Sequence, residues 1–128
     1  MRILPAKRIR AEIEVPPDKS ISHRALILSS MAGGRSVVHN LLESGDTLST
    51  FKVMKEIGAR FSGNFERMEI LPALWSEAVR PLDCCNSGTT ARIISGLLAG
   101  TPGLHILFGD ESLSRRPMKR VIEPLKMM

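Results

Sequence analysis

Residues 18–34 read DKSISHRALILSSMAGG, and residues 86–100 read NSGTTARIISGLLAG. With Ser20 laid on Ser87, an offset of 67, ALILSSMAG at Ala25–Gly33 falls on RIISGLLAG at Arg92–Gly100. Each stretch opens on small polar residues that cap helices, runs on through apolar residues and closes on glycine. Similarity at a fixed offset is the mark of an internal repeat. The flanks extend it: Gly45-Asp46 corresponds to Gly109-Asp110, and Met54-Lys55 to Leu125-Lys126 after an insertion around Ser114–Lys119.

Outward from these stretches the elements alternate. Arg8 to Val15 places Ile9, Ala11, Ile13 and Val15 on one face, the pattern of a strand with one wet side, and Pro16-Pro17 ends it. Ser20 is the expected N-cap of a helix reaching Ala32, with Ile21, Ala25, Leu28 and Ala32 as its apolar stripe and Gly33-Gly34 as its stop. Ser36–Leu42 reads as a strand. Asp46 is expected to cap a second helix through Ile57, ended by Gly58, and short strands follow at Ala59–Ser62 and Arg67–Leu71. The second half starts again with a short strand at Leu82–Cys84, a helix from Asn86 to about Ala99 and a strand at Leu104–Phe108. A polar loop spans Gly109–Arg116, and a last helix begins near Pro117. The class is α/β. Residues 16–81 form one helix–strand–helix–strand–strand unit, and residues 82–128 form a second that stops before its two closing strands.

Composition narrows the function. A chain of 128 residues, 43% apolar and 24% charged, can build a core. Its net charge of +5 favours anionic partners. Nucleic acid is not among them: Phe51, Phe61, Phe65, Phe108 and Trp75 are too scattered to make a stacking platform. No apolar run approaches the ~18–20 residues of a membrane span, and the first fifteen residues have no apolar signal core. Cys84 and Cys85 are adjacent, so they read as reduced thiols, which points to the cytoplasm. Two Cys and three scattered His show no metal-ligand spacing.

Three constellations could carry chemistry. Lys19 and Ser20 sit at a helix start, with Arg24 one turn on and on the same face as Ser20. With the helix N-terminus they fit a carboxylate or phosphate, or they are a solvated cap. Asn86, Ser87, Gly88 and Thr89 open the second such helix, where Gly88 lets a ligand approach the backbone and Arg92 follows on the first turn. Here too the alternative is an ordinary cap. In SLSRRPMKR (Ser112–Arg120), Arg115 or Arg116 beside rigid Pro117 could clamp a phosphate, or the run is a wet face. Asp46 and Asp110 could act as bases, but each stands where a helix cap is expected.

PPDKSISHRALILSSMAGG, LDCCNSGTTARIISGLLAG and GDESLSRRPMKRVIEPLKMM resemble, in order and spacing, the N-terminal part of the 5-enolpyruvylshikimate-3-phosphate synthases (3-phosphoshikimate 1-carboxyvinyltransferases). The sister family, the UDP-N-acetylglucosamine enolpyruvyl transferases, typically has Lys-Asn where this chain has Lys19-Ser20. A non-catalytic anion-binding domain on the same scaffold is the other alternative. The resemblance implies a lobe of repeated βαβαββ units, helices inward and sheets outward. Residues 1–15 would then be a strand belonging with the other lobe, 16–81 the first unit and 82–128 part of the second. The family is about three times this long, so the chain is expected to be a fragment, inactive without the C-terminal part that supplies the acid and base.

The implied reaction belongs to the shikimate pathway of aromatic amino-acid biosynthesis. It moves the enolpyruvyl group of phosphoenolpyruvate onto the 5-hydroxyl of shikimate 3-phosphate and releases phosphate, with no cofactor or metal. By motif match, Lys19 would touch both substrates and stabilise developing charge. Ser20 and Arg24 would hold shikimate 3-phosphate. Asn86, Gly88, Thr89 and Arg116 would hold phosphoenolpyruvate, with Arg92 in support, in the corner where glyphosate competes. The implied compartment is the cytoplasm, and a plastid enzyme stripped of its transit peptide would read the same. Unpaired sheet edges leave self-association open. The family usually has Gly where this chain has Pro17 and Cys85; a left-handed backbone at Cys85 would cost on the order of 1 kcal/mol.

Overall fold

A computed structural model describes residues 8–128 of the chain. Its elements in order are α1 (Lys19–Met31), β1 (Ser36–His39), α2 (Gly45–Glu56), β2 (Arg60–Gly63) and β3 (Arg67–Leu71), then β4 (Leu82–Asp83), α3 (Gly88–Leu98), β5 (Leu107–Phe108), α4 (Glu111–Ser114) and α5 (Lys119–Met127). β1, β3 and β2 form an antiparallel sheet in that order, with Val38 opposite Met68 and Phe61 opposite Ile70. β4 and β5 pair in parallel, Leu82 opposite Leu107, with α3 as the crossover.

α1 and α2 lie side by side in one direction. Lys19 meets Asp46 and, one turn further along both helices, His23 meets Thr50. Thr90 in the first turn of α3 reaches Thr50 and the Asp46 carbonyl. The N-terminal ends of the three longest helices are thereby gathered together. Beneath them Ile27, Val53, Met54, Ile57, Leu82, Ala91 and Ile94 make one core, and Leu26, Leu41, Met68 and Ile70 make a second against the antiparallel sheet. Phe61 packs against both, 4.9 Å from Phe51 between ring centroids.

Several details differ from the sequence reading. Arg8–Val15 pairs with no strand among the described residues, and Ile9 and Ile13 are about four-fifths exposed (83% and 78%). Residues 1–7 of the strand that the resemblance implies over 1–15 lie outside the described residues. The cap of α1 is Asp18, whose Oδ1 accepts from Ile21 N at 2.8 Å; Ser20 is inside the first turn. The buried face of α1 is Ser22, His23, Leu26, Ile27 and Ser30, whereas Ile21 and Leu28 face outward. Apolar spacing chose the wrong stripe because half of the true one is polar. Ser22 accepts from Leu42 N, Ser30 donates back to Leu26 O, and His23 bonds Thr50, so these residues bury without an unmet hydroxyl.

The end of α1 also differs. Gly33 and Gly34 are not left-handed; Ala32 leaves in extended backbone, and Ala73 N donates to the carbonyl of Ser30. Ser44, not Asp46, caps α2, in a reciprocal box with Thr47. The loop expected at Gly109–Arg116 contains α4, capped by Asp110, and α5 starts two residues after Pro117.

Gly58, past the end of α2, has φ 106°, and a Cβ there would overlap the backbone carbonyl of Leu74, which lies along the helix end. Leu74 N donates to Gly58 O and Ser76 N to Ile57 O, so this strap satisfies the carbonyls that the helix end leaves open. Gly96 is the opposite case: it is helical, with open space where a Cβ would be. Gly58→Ala is expected to lower stability by at least ~1 kcal/mol and Gly96→Ala to raise it by ~0.5–1 kcal/mol. Thermal melts of the two variants beside the parent chain check both signs.

Candidate functional site

The gathered helix ends carry the residues singled out from the sequence, in two adjoining groups. Lys19, in the first turn of α1, places Nζ 2.9 Å from Asp46 Oδ2 and remains half exposed. Ser20 is exposed beside it, and Arg24 sits one turn on, its Nη1 donating to the Ser20 carbonyl at 3.0 Å. These three residues therefore share one wet face. None of them is committed to the core, so the face can receive an anion.

The second group surrounds Gly88, the first residue of α3. A Cβ at Gly88 would collide with Arg92 Nη1 and stand 3.3 Å from Arg116 Nη1, so two guanidiniums close over the bare backbone. Arg116 comes from the far end of α4, and side chains aim it. Its Nη2 donates to Asn86 Oδ1 at 2.6 Å and to Ser112 Oγ at 3.2 Å, and Asn86 Nδ2 donates to Asp110 Oδ2 at 2.6 Å. The hydrogen bond from Asn86, then that from Leu113 N and the charge of Arg116, hold the Asp110 carboxyl below the usual carboxylate range. Arg92 Nε is buried without a partner. Two arginines, free backbone N–H groups at a helix N-terminus and a residue without a side chain make a site for a phosphate or carboxylate.

The two groups meet at Asp46. Its carboxylate takes Lys19, and its main-chain carbonyl lies 3.4 Å from Thr90 Oγ1. Asp46 and Asp110 are thus the supports of Lys19 and of Asn86 rather than bases standing free. Sequence reasoning missed Ser112 as a support for Arg116, and it missed the buried partners His23, Thr50 and Thr90. The spacing of Ser112 and Arg116, four apart beside a helix cap, was a signal for the first. No local pattern marks the others, whose partners are 27 and 40 residues away.

Comparison with known proteins bears on the family and the fold. A family model described as EPSP synthase (3-phosphoshikimate 1-carboxyvinyltransferase) matches residues 3–128. The chain belongs to the EPSP synthase family. Among its relatives, the 3-phosphoshikimate 1-carboxyvinyltransferase of Thermotoga neapolitana is 52% identical over the whole chain, and that of Aquifex aeolicus is 47% identical over 95% of it. The chain spans 30% and 29% of those relatives' lengths. Solved EPSP synthase from Acinetobacter baumannii superposes with a TM-score of 0.83 at 34% identity, covering 91% of this chain and 27% of that one.

Of the two positions where the resemblance implies glycine, one has a glycine-like backbone. Cys85 has φ 48°, while Pro17 is not left-handed. Cys85 is fixed from both sides: its N–H donates to Asp83 Oδ1 at 2.8 Å, and its carbonyl accepts from Asp110 N at 2.9 Å. Ser87 N closes the turn onto Cys84 O, placing Cys85 where such turns favour glycine. Cys85→Gly is expected to stabilise the chain by about 1 kcal/mol in urea titration. Burial pushes the Cys84 thiol up to about 11, helped by the charge of Asp83, whereas Cys85 is exposed. A thiol reagent at neutral pH is therefore expected to label one cysteine in the folded chain and both in denaturant.

Burial lowers the pKa of His23 below 6.5; Lys19 and Arg24 lower it further, and Asp46 partly opposes them. The unfolded chain takes up a proton at this residue below pH 6.5 that the folded chain refuses, so stability falls as pH drops through that range. His23→Asn is expected to flatten the fall. Urea midpoints measured between pH 7 and pH 5 for both chains check this.

Proposed function

We propose that this chain supplies the substrate-anion corner of 3-phosphoshikimate carboxyvinyl transfer. The observation that carries the reading is the convergence of the Arg92 and Arg116 guanidiniums on the bare backbone of Gly88, beside Lys19. In this reading Gly88, Asn86, Thr89 and Arg116 hold phosphoenolpyruvate, Arg92 supports them, and Ser20 and Arg24 hold shikimate 3-phosphate. Lys19, linked to the second group through Asp46 and Thr90, serves both substrates.

The 5-hydroxyl of shikimate 3-phosphate gives up its proton as its oxygen bonds to C2 of phosphoenolpyruvate, and a proton adds to C3. The tetrahedral adduct then loses phosphate and the C3 proton, restoring the double bond. Charge collects on the departing phosphate, where Lys19 and Arg116 are placed to stabilise it. Of the carboxylates at the starts of α1, α2 and α4, Asp18 caps α1, Asp46 binds Lys19 and Asp110 holds Asn86. By the family resemblance, the proton donor and acceptor are assigned to the rest of the enzyme.

Calorimetric titration of the chain with shikimate 3-phosphate, phosphoenolpyruvate and UDP-N-acetylglucosamine tests the reading. Saturable binding of the first two and none of the third is expected; preference for the nucleotide sugar would overturn it. In an active enzyme containing this chain, Lys19→Ala or Arg116→Ala is expected to lower kcat/KM by about 10²–10³-fold. The chain alone is expected to release no phosphate from the two substrates above background.

A further inference from the structure

Beneath the two anion-facing groups runs a file of side chains that the proposed reaction does not use. His23 Nδ1 lies 2.7 Å from Thr50 Oγ1, Thr50 Oγ1 lies 2.7 Å from Thr90 Oγ1, and Thr90 Oγ1 donates to Ser87 Oγ at 2.6 Å. All four residues are at most 1% exposed. The file crosses α1, α2 and α3 within two turns of their N-terminal ends. His23 is one turn from Lys19, and Thr90 is two residues from Gly88.

The proton order in the file follows from counting. Each hydroxyl has one proton to give. Thr90 gives its proton to Ser87, so Thr90 Oγ1 must accept the proton of Thr50. Thr50, having given its own, must accept from His23. His23 is therefore protonated on Nδ1, and its buried Nε2, which has no partner, is the lone-pair side. A charged ring would need a second acceptor at Nε2 and finds none. Burial acts in the same direction, as do Lys19 and Arg24, against the opposing charge of Asp46.

We infer that His23 is a positioning residue, whose neutral Nδ1–H tautomer, relayed through Thr50 and Thr90, sets the N-terminal turn of α1 against that of α3. The relay fixes the distance between Lys19 on one helix and Gly88 on the other. A water-filled gap or a reversed proton order would let the two ends drift apart. The inference rests on the proposed function only for what the two ends bind.

The imidazole ¹⁵N spectrum of the ¹⁵N-labelled chain reports the tautomer directly. A single Nδ1–H form is expected at His23, and an Nε2–H form in the parent chain would overturn the inference. Thr90→Val alters a residue one step removed from His23 in the file. It is expected to turn the His23 signal into a mixture, to shift the amide resonances of Lys19 and Gly88 together, and to weaken inorganic phosphate at Gly88 about tenfold, the worth of one buried hydrogen bond. Thr90→Ser is expected to restore all three, which general loosening of the fold would not allow. An unchanged His23 tautomer in folded Thr90→Val would overturn the relay; should that variant not fold, Thr50→Ala takes its place, expected to free the His23 tautomer. A parent chain that takes up no phosphate would count against the proposed function, while the tautomer and the amide shifts still decide the relay.

Discussion

Helix N-termini carry partial positive charge, and three of them crowded together with Lys19, Arg24, Arg92 and Arg116 repel one another. Asp46 is the group that makes the crowding tolerable. It is a carboxylate in the first turn of the middle helix, and it binds the lysine of one neighbour while its carbonyl faces the threonine of the other. Asp18 and Asp110, at the caps of α1 and α4, add negative charge at two further helix starts. The remaining positive potential is what an anionic ligand would meet, and the polar file underneath holds its sources at fixed separation.

The second anion group shows how a flexible cation is made specific. An arginine on a surface loses rotamer entropy when it is held in one pose. Arg116 is held by Asn86 and Ser112, and Asn86 by Asp110, which is itself the cap of α4. The turn at Cys85 ties this assembly to the end of β4, since its carbonyl accepts from Asp110 N. A cysteine in left-handed backbone is tolerated there because the flanking hydrogen bonds, made by main chain and by Asp83, do not depend on its side chain.

Much of the fold was legible. Helices opening on Ser/Asp-rich caps and closing near glycine, and the short strands after residue 35, were placed within a few residues of their positions; Arg8–Val15 was not a strand. The helix starts that gather in the structure were legible as well, because Lys, Gly and Arg at such positions advertise anion chemistry locally. The burial of α1 was not. Its inner face is half hydroxyl and imidazole, and partners on α2 and on the loop at Leu42 take up the His23 Nδ1 and the Ser22 hydroxyl. The outer face, with Ile21 and Leu28, looked like core because a single sequence cannot say which apolar stripe has something to pack against within these residues.

The amino-acid order by itself determined the α/β class, the repeated helix starts and the basic residues that mark them, since each depends on neighbours within a turn or two. Only the tertiary structure decided that these starts stand together, that Asp46 and Asp110 serve as supports, and that His23 joins a hydroxyl file. Those outcomes depend on pairs 24 to 44 residues apart. The reason is physical: helix caps and periodicity are short-range and independent of context, whereas a buried polar contact exists only once packing has removed water and brought both partners within hydrogen-bond reach.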